Sequence, residues 1–371
     1  MSVTQSKDLH YMRLALELAS RATILTSPNP KVGCVIVKDE LVLGQGWTQA
    51  VGQAHAEVMA LRDAASLGHD VRGATAYVTL EPCSHYGRTP PCANALIEAG
   101  LARVVAAVED ANPQVAGRGF SILKEAGIAV SHGLLAKEAR EMNLGFFKRM
   151  EVGKPWVRLK MAASLDGYTA LPNGQSQWIT GSEARADGHR WRAKSDAILT
   201  GIGTVLADDP QMNVRLPEQE ILRQPRKFVL DSQLRTPVSA KLFQGASASV
   251  VHVKRNPDAE EALRQAGANL LHLPGENSSE TQVDLLALMS VMGELQINEL
   301  HVEAGAKLSG ALIAANCVDE ILLYLAPKLL GSGVGMFALP ELQHLNQARE
   351  LNVHEVLQLS DNTIRVLARF V

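Results

Sequence analysis

Strand-length apolar runs alternate with stretches of helical period along nearly the whole chain, and few folds accept that pattern. Leu9, Met12, Leu16 and Ala19 share one helical face, with Asp8 placed to cap it. Ser27-Pro28-Asn29-Pro30 breaks this helix. The apolar run at 32–37 turns back through Lys38-Asp39-Glu40 into Leu41-Val42-Leu43, which predicts a hairpin. Helices are expected over 55–66, 92–99, 120–126 and 135–150, and strands over 74–80 and 103–108. Gly100 and Gly127 stop two of the helices. Strands separated by helices imply an α/β layer with a mostly parallel sheet.

The alternation is interrupted once. Gly153 and Pro155 follow a charged helix end, and a new strand is expected over 156–163. With 371 residues the chain is long enough for two domains, expected at 1–150 and 151–371. The second half predicts strands over 196–201, 226–231, 249–253, 299–303 and 318–325. Helices are expected over 183–194, 258–265 and 283–292, and the segments 350–358 and 363–371 read as a closing hairpin. No internal repeat is present.

Composition narrows the function classes. Hydrophobic residues make up 46% and charged residues 20%, an ordinary globular balance that excludes disorder as the main state. A net charge of -3 gives no pull toward nucleic acid or a membrane surface. No stretch approaches 18 uninterrupted apolar residues, so no membrane span is expected. The first ten residues lack the apolar core of a signal peptide. Four cysteines are too sparse for a disulfide scaffold. The expectation is a cytoplasmic chain with reduced thiols and neither a nucleic-acid nor a membrane partner.

Two of those thiols fall in an informative set. His55-Ala56-Glu57 is followed by Pro82-Cys83 and then Cys92. One imidazole and two thiolates suit zinc, and three protein ligands leave a fourth position for water, the mark of a catalytic site. Each ligand falls at the junction of an element. Helix starts favour thiolate, and strand ends are where α/β sheets place ligands. Glu57 lies two residues from His55 and need not be a ligand. Zinc lowers the pKa of a bound water to about 7, and a carboxylate beside it can take the water proton and hand it to a leaving amine. The set matches the zinc nucleobase deaminases. By contrast, His-x-Glu alone is weak, and lone cysteines are usually core residues, as Cys34 and Cys317 are read here. His85, between the thiols, is read as a substrate contact because a fourth ligand would close the site. Eight residues separate Cys83 from Cys92, where the usual deaminase spacing is two.

That long insert occurs within a specific motif. The run Thr79-Leu80-Glu81-Pro82-Cys83-Ser84-His85-Tyr86-Gly87-Arg88-Thr89-Pro90-Pro91-Cys92 closely resembles the deaminase domain of the bifunctional deaminase–reductases of riboflavin biosynthesis, where the insert is the normal form. Ser27-Pro28-Asn29-Pro30-Lys31-Val32-Gly33 is similar to that family's base-binding loop, which points to Asn29 as a substrate contact. Lys160-Met161-Ala162-Ala163-Ser164-Leu165-Asp166-Gly167 resembles the opening of its reductase domain. Ser176-Gln177-Trp178-Ile179-Thr180, the run at 203–210 and Val302-Glu303-Ala304-Gly305 are similar as well. The segments 211–224 and 232–291 match only loosely.

The resemblance implies a cytidine-deaminase-like α/β domain followed by a dihydrofolate-reductase-like α/β domain. It implies two steps. Water replaces the ring amine of 2,5-diamino-6-(5-phosphoribosylamino)pyrimidin-4-one with loss of ammonia. NADPH then reduces the ribosyl chain to give 5-amino-6-(5-phosphoribitylamino)uracil. Positions matching Lys160, Ser176, Arg192, Met212, Arg215 and Glu303 line the phosphoribosylated substrate in that family. Those matching Ala162, Trp178, Thr204, Asp208, Ser232 and the loop Gly305, Ala306, Lys307, Leu308, Ser309, Gly310 and Ala311 line the NADPH. A homo-oligomer, dimer or tetramer, is implied too.

Read on its own chemistry, the second half lacks the Gly-x-Gly-x-x-Gly dinucleotide fingerprint. Gly305–Gly310 follows a strand and opens a helix, so it is either a pyrophosphate cradle or an ordinary turn. Gly331-Ser332-Gly333-Val334-Gly335 reads as a flexible loop. Arg192 and Arg215 offer the forked geometry that binds phosphate, or are surface arginines. Trp178 and Met212 also have a plain core reading. No general acid for hydride transfer is evident beyond Asp208 as a candidate. Two other readings compete with the family. A nucleic-acid base deaminase is disfavoured by the 4% aromatic content and the mild charge. A non-catalytic zinc module is disfavoured by Glu57 beside an open zinc position.

Overall fold

The computed structural model describes residues 3–84, 91–113, 115–217, 221–245, 247–274 and 282–371. The chain divides into two compact units, Met1–Gly153 and Lys154–Val371.

The first unit runs α1 (Val3–Ser20), β1 (Gly33–Lys38), β2 (Leu41–Trp47), α2 (Ala56–Ser66), β3 (Thr75–Val78), α3 (Cys92–Glu98), β4 (Arg103–Ala106), α4 (Arg118–Glu125), β5 (Ala129–His132), α5 (Ala136–Glu141) and α6 (Leu144–Val152). Its sheet has the order β2-β1-β3-β4-β5. The hairpin makes β1 antiparallel to both neighbours, while β3, β4 and β5 are parallel. Strand β1 is buried on both faces. Val35 and Val37 meet Tyr11, Met12 and Ala15 of α1, and Cys34 and Ile36 meet the face carrying Ala56, Ala60, Leu96, Leu123 and Phe146. Two glycines permit the close approach of these layers. A Cβ on Gly33 would stand 1.9 Å from the Ala15 carbonyl oxygen, and one on Gly46 2.4 Å from the Ala60 nitrogen.

Two expectations fail here. The first helix begins at Val3, so Asp8 lies in its second turn and caps nothing. Its carboxylate instead accepts hydrogen bonds from both terminal nitrogens of Arg103, at 2.9 and 2.7 Å, and from the Tyr77 hydroxyl at 2.7 Å. The expected helix over 135–150 is two helices broken at Asn143. The Asn143 amide accepts from Lys31 N at 2.8 Å and donates to Lys31 O at 2.9 Å. A buried side chain that completes the hydrogen bonding of a distant loop outweighs one more helical turn.

The second unit runs β6 (Trp156–Ser164), β7 (Tyr168–Ala170), α7 (Ser182–Lys194), β8 (Ala197–Gly201), α8 (Ile202–Asp208), β9 (Arg226–Leu230), β10 (Ala248–His252), α9 (Pro257–Gln265), β11 (Ala268–His272), α10 (Leu285–Glu294), β12 (Glu299–Val302), α11 (Ala306–Ala314), β13 (Glu320–Ala326), β14 (Val334–Gly335), β15 (Leu351–Gln358) and β16 (Ile364–Phe370). Its nine-stranded sheet has the order β11-β10-β9-β8-β12-β6-β13-β16-β15. All pairs from β11 to β13 are parallel, and the closing hairpin adds two antiparallel strands. Strands β7, β11 and β14 were not anticipated from the sequence.

The two faces of this sheet differ. On one, Val157, Leu159, Leu300 and Val302 pack against Leu288, Met289, Leu312 and Ile313 of α10 and α11. On the other, beneath α7, alternate positions are charged. Arg158 is buried, donating to Glu320 at 2.5 Å and Glu299 at 3.0 Å, and Glu320 also accepts from Arg369 at 3.0 Å. Removing one partner of such a pair costs about 3–5 kcal/mol, because the other charge stays buried. No helix among the described residues is long and apolar enough to cross a membrane.

Candidate metal centre and reductase site

Topology brings the first site together. The start of β1 pairs with the end of β2 and lies beside the end of β3. The segments after β2 and β3, and the loop before β1, therefore meet at one end of the sheet, which is also the carboxyl end of β4. His55 is the N-cap of α2, Cys83 follows β3, and Cys92 is the first residue of α3. The loop carrying Asn29 is tied there by Asn143 and by Arg149, whose guanidinium donates to Pro28 O at 3.2 Å. Asn29 itself is exposed. His85 lies outside the described residues.

The three ligand candidates converge. His55 Nδ1 stands 3.6 Å from Cys83 Sγ and 3.3 Å from Cys92 Sγ. All three ligand atoms lie within 4.8 Å of one another, the one such group among the described residues. A tetrahedral zinc with Zn–S of about 2.3 Å and Zn–N of about 2.1 Å separates its sulfur and nitrogen ligands by roughly 3.6 Å. The donor set fits that ion in type and spacing. Cys83 Sγ also accepts from the Cys92 backbone N–H at 3.2 Å. The hydrogen bond from the Cys92 thiol, aided by His55, draws Cys83 down to about 4, while Cys92 is pushed up. Glu57 sits in the first turn of α2 and is buried. Burial, with the Cys83 thiolate, raises its carboxyl to about 7. Cys34 and Cys317 are buried among apolar side chains, as expected of packing residues.

Sequence reasoning passed over Glu81, although it lies within the quoted motif. Its buried carboxylate accepts backbone N–H groups from Asp110, Gly117, Gly119 and Phe120 at 2.8–3.3 Å. It stands at the N-terminus of α4, where a negative charge is favoured. The loop after β4 is thereby locked against the segment that carries Cys83. Gly119 permits the contact, since a Cβ there would lie 2.0 Å from Pro82 O.

In the second unit the polar face supplies a second cluster where the carboxyl end of β12 lies beside the middle of β6. Glu303 follows β12 and accepts from Arg192 Nε at 2.5 Å and Nη2 at 2.8 Å, a forked pair. Lys160 Nζ is 3.9 Å from the same carboxylate and His301 Nε2 is 3.2 Å away. Burial alone would raise the Glu303 pKa, but Arg192 and Lys160 hold it well below the usual carboxylate range. Arg192 is not a surface arginine: its Nη1 also donates to Asn213 O at 2.9 Å. Arg215 is exposed, held by Asn213 Oδ1 at 2.8 Å, and its backbone N–H donates to His189 Nδ1 at 3.2 Å. Met212 is buried. Ser176 is half-buried in the loop before α7. Trp178 contradicts a core reading: it is 67% exposed, with the Arg185 guanidinium 4.6 Å from its ring centre.

The proposed cofactor residues occupy the carboxyl side of the same sheet. Ala162 is on β6, Thr204 and Asp208 are on α8, and Ser232 follows β9. Gly305 is the N-cap of α11. Within that helix Ser309 is turned inward, donating to Ala304 O at 3.2 Å, and Gly310 packs on Ala338, whose carbonyl oxygen would be 2.2 Å from a Cβ. Lys307 and Ala311 are exposed, and Ala306 and Leu308 are half-buried. His301 and His189 were not anticipated. His301 shared the strand alternation of Glu303, and His189 lay one helical turn from Arg192. Neither signal separates a site residue from a core one.

Comparison with known proteins adds to this geometry. Residues 5–108 match the family model of the cytidine and deoxycytidylate deaminase zinc-binding region, and residues 155–364 match that of the RibD C-terminal domain. The chain is 49% identical to riboflavin biosynthesis protein RibD of Escherichia coli, over 94% of this chain and 96% of that protein. It is 47% identical to RibD of Haemophilus influenzae, over 96% of each. Among solved structures it is similar to Acinetobacter baumannii RibD, with a TM-score of 0.89, 42% identity and 99% of this chain and 100% of that one covered. It is also similar to a Thermotoga maritima diaminohydroxyphosphoribosylaminopyrimidine deaminase/5-amino-6-(5-phosphoribosylamino)uracil reductase, with a TM-score of 0.86, 30% identity and 99% of this chain and 100% of that one covered.

Proposed function

The chain belongs to the RibD family of bifunctional riboflavin-biosynthesis enzymes, and on that premise we propose how its residues divide the two reactions. It is a deaminase and a reductase. We assign the deaminase to residues 1–150 and the reductase to 151–371.

In the first unit His55, Cys83 and Cys92 hold zinc. When bound, zinc supplies a Lewis acid that makes water a nucleophile near neutral pH. Glu57 accepts a proton from the attacking water as its oxygen bonds to the amine-bearing ring carbon of 2,5-diamino-6-(5-phosphoribosylamino)pyrimidin-4-one. Glu57 then passes that proton to the amine, the carbon–nitrogen bond breaks, and ammonia leaves. Asn29 and His85 hold the base. The observation that carries this reading is the convergence of the His55 nitrogen on two sulfurs at 3.6 and 3.3 Å, with buried Glu57 two residues on. Glu57→Gln is expected to keep one zinc per chain by metal analysis and to lose ammonia release by about 10²–10⁴-fold, the usual worth of a positioned proton carrier. Ammonia release at the wild-type rate by the zinc-loaded variant would overturn the assignment.

In the second unit NADPH supplies the hydride. Lys160, Arg192 and Glu303, with Ser176, Met212 and Arg215, hold the phosphoribosyl chain, and the cations balance its phosphate. Ala162, Trp178, Thr204, Asp208, Ser232 and the loop Gly305–Ala311 receive the dinucleotide, with the start of α11 offering backbone N–H groups to its pyrophosphate. The product is 5-amino-6-(5-phosphoribitylamino)uracil.

We read the enzyme as a cytoplasmic homo-oligomer without a nucleic-acid partner. The surface that supports self-association is β15. Register pairs Leu351, Val353 and Val356 with Phe370, Ala368 and Val366, and a bulge between Val353 and Glu355 keeps all of them on one face. That face is the one α10 and α11 cover further along the sheet, yet on β15 Val353 and Val356 are 60% and 62% exposed.

A further inference from the structure

The segment that follows α8 has no regular structure from 209 to 217, yet side chains from elsewhere hold it closely. Met212 within it is buried and takes a φ of 50°, in the left-handed region that a long side chain rarely adopts. Strain of that kind persists where the surroundings over-determine the backbone. Gln224 Oε1 accepts from Val214 N at 2.7 Å, and its Nε2 donates to Val214 O at 3.1 Å. Arg192 Nη1 donates to Asn213 O at 2.9 Å. A further tie comes from His189, whose Nδ1 accepts from Arg215 N at 3.2 Å.

His189 and Arg192 are three residues apart on α7 and share a face of that helix. The imidazole is half-buried and lies within reach of the charges of Arg192, Arg215, Glu303 and Lys160. Burial first, then the two arginines, keep it neutral near neutral pH. Because Nδ1 accepts from a backbone N–H, the ring proton belongs on Nε2. The two guanidinium groups differ in what they can still bind. Arg192 commits Nε and Nη2 to Glu303 and Nη1 to Asn213 O. Arg215 is exposed and engages Asn213 Oδ1 through Nη1 at 2.8 Å, which leaves most of its donors for an anion.

We propose that His189 is a positioning residue of the reductase: its Nδ1 fixes the backbone at Arg215 and so presents that guanidinium to the phosphate of the substrate. The proposal rests on the reading of Arg215 as a substrate contact. The segment has no strand ladder or helix of its own to place the arginine, and an acceptor on α7 does so instead. Without that acceptor Arg215 samples more backbone states, and the cost of ordering them weakens the hold on phosphate.

Full-length variants are assayed with NADPH on the deaminated intermediate and on its dephosphorylated form. His189→Leu is expected to raise KM for the phosphorylated substrate about three- to tenfold, the worth of one hydrogen bond, with kcat little changed. KM for the dephosphorylated form should not rise. His189→Asn, whose amide oxygen can stand where Nδ1 does, should restore the lower KM. In an Arg215→Ala background His189→Leu should add nothing. Equal losses on both substrates, no rescue by Asn, or effects that add to those of Arg215→Ala overturn the proposal. So does a nitrogen NMR spectrum of the wild-type ring that places its proton on Nδ1, a measurement that needs no variant to fold. An Arg215→Ala enzyme with the wild-type KM for the phosphorylated substrate overturns the reading of Arg215 itself, which is a separate failure.

Discussion

His189 lies near two guanidinium groups, and that placement gives the second unit a pH dependence of its own. Burial first, then Arg192 and Arg215, lower its pKa from 6.5 to about 4. Between those values the unfolded chain binds a proton that the folded chain does not. Stability therefore falls as pH drops from about 6.5 to about 4, and is level with respect to this group above that window. Glu303 acts in a lower range, because its depressed pKa gives a contribution that is complete above about 4.5 and is lost progressively as the pH falls from there. Urea unfolding followed from pH 7 to pH 5 should show the loss. It should be smaller in His189→Asn, whose amide oxygen can replace Nδ1 as acceptor for the Arg215 N–H. Equal losses in the two proteins would contradict the assignment. At this scale the sequence revealed residues whose chemistry is unusual in combination, such as His55 with Cys83 and Cys92. It did not reveal Glu81, Asn143 or His301. Their importance lies in backbone groups and carboxylates brought to them by chain segments remote in sequence, and no local pattern records that.

Elements were legible where periodicity was uninterrupted. Strands β1, β8 and β10 and helices α2, α7 and α9 fall within a residue or two of their expected positions. Failures occurred where a tertiary contact outweighed local preference, as when Asn143 breaks the helix between α5 and α6 to reach Lys31. The closing hairpin was legible, but its use was not. Alternation alone would put Val353 and Val356 on opposite faces, and the bulge at Glu355 returns them to one. An apolar edge strand of this kind needs a cover. If the proposed homo-oligomer forms through β15, Val353→Lys with Val356→Lys is expected to convert it to monomers in light scattering and to leave the thermal transition of the isolated chain little changed. A wild-type chain that is monomeric at micromolar concentration would remove the argument for self-association through β15.

Over the whole molecule, alternation of element types indicated two α/β bodies. The chemistry of each came from different signals. The deaminase half was legible because metal ligands and a proton carrier need rare residue types at element junctions. The reductase half was not legible from its chemistry alone, since a hydride donor is held by backbone turns and ordinary side chains that also serve in any strand–helix connection. Resemblance supplied that reading, and the Glu303, Arg192 and Lys160 cluster gives it a physical basis. The central claim is that one chain performs a zinc-dependent deamination and then an NADPH-dependent reduction, each in its own unit. The most direct test follows ammonia and NADPH together, before and after zinc is stripped by a chelator. With zinc, the diaminopyrimidine phosphate should release one ammonia for each NADPH consumed. Without zinc both signals should stop on that substrate, while NADPH oxidation on the deaminated intermediate continues. Ammonia release that survives loss of zinc, or reductase activity that disappears with it, would contradict the account.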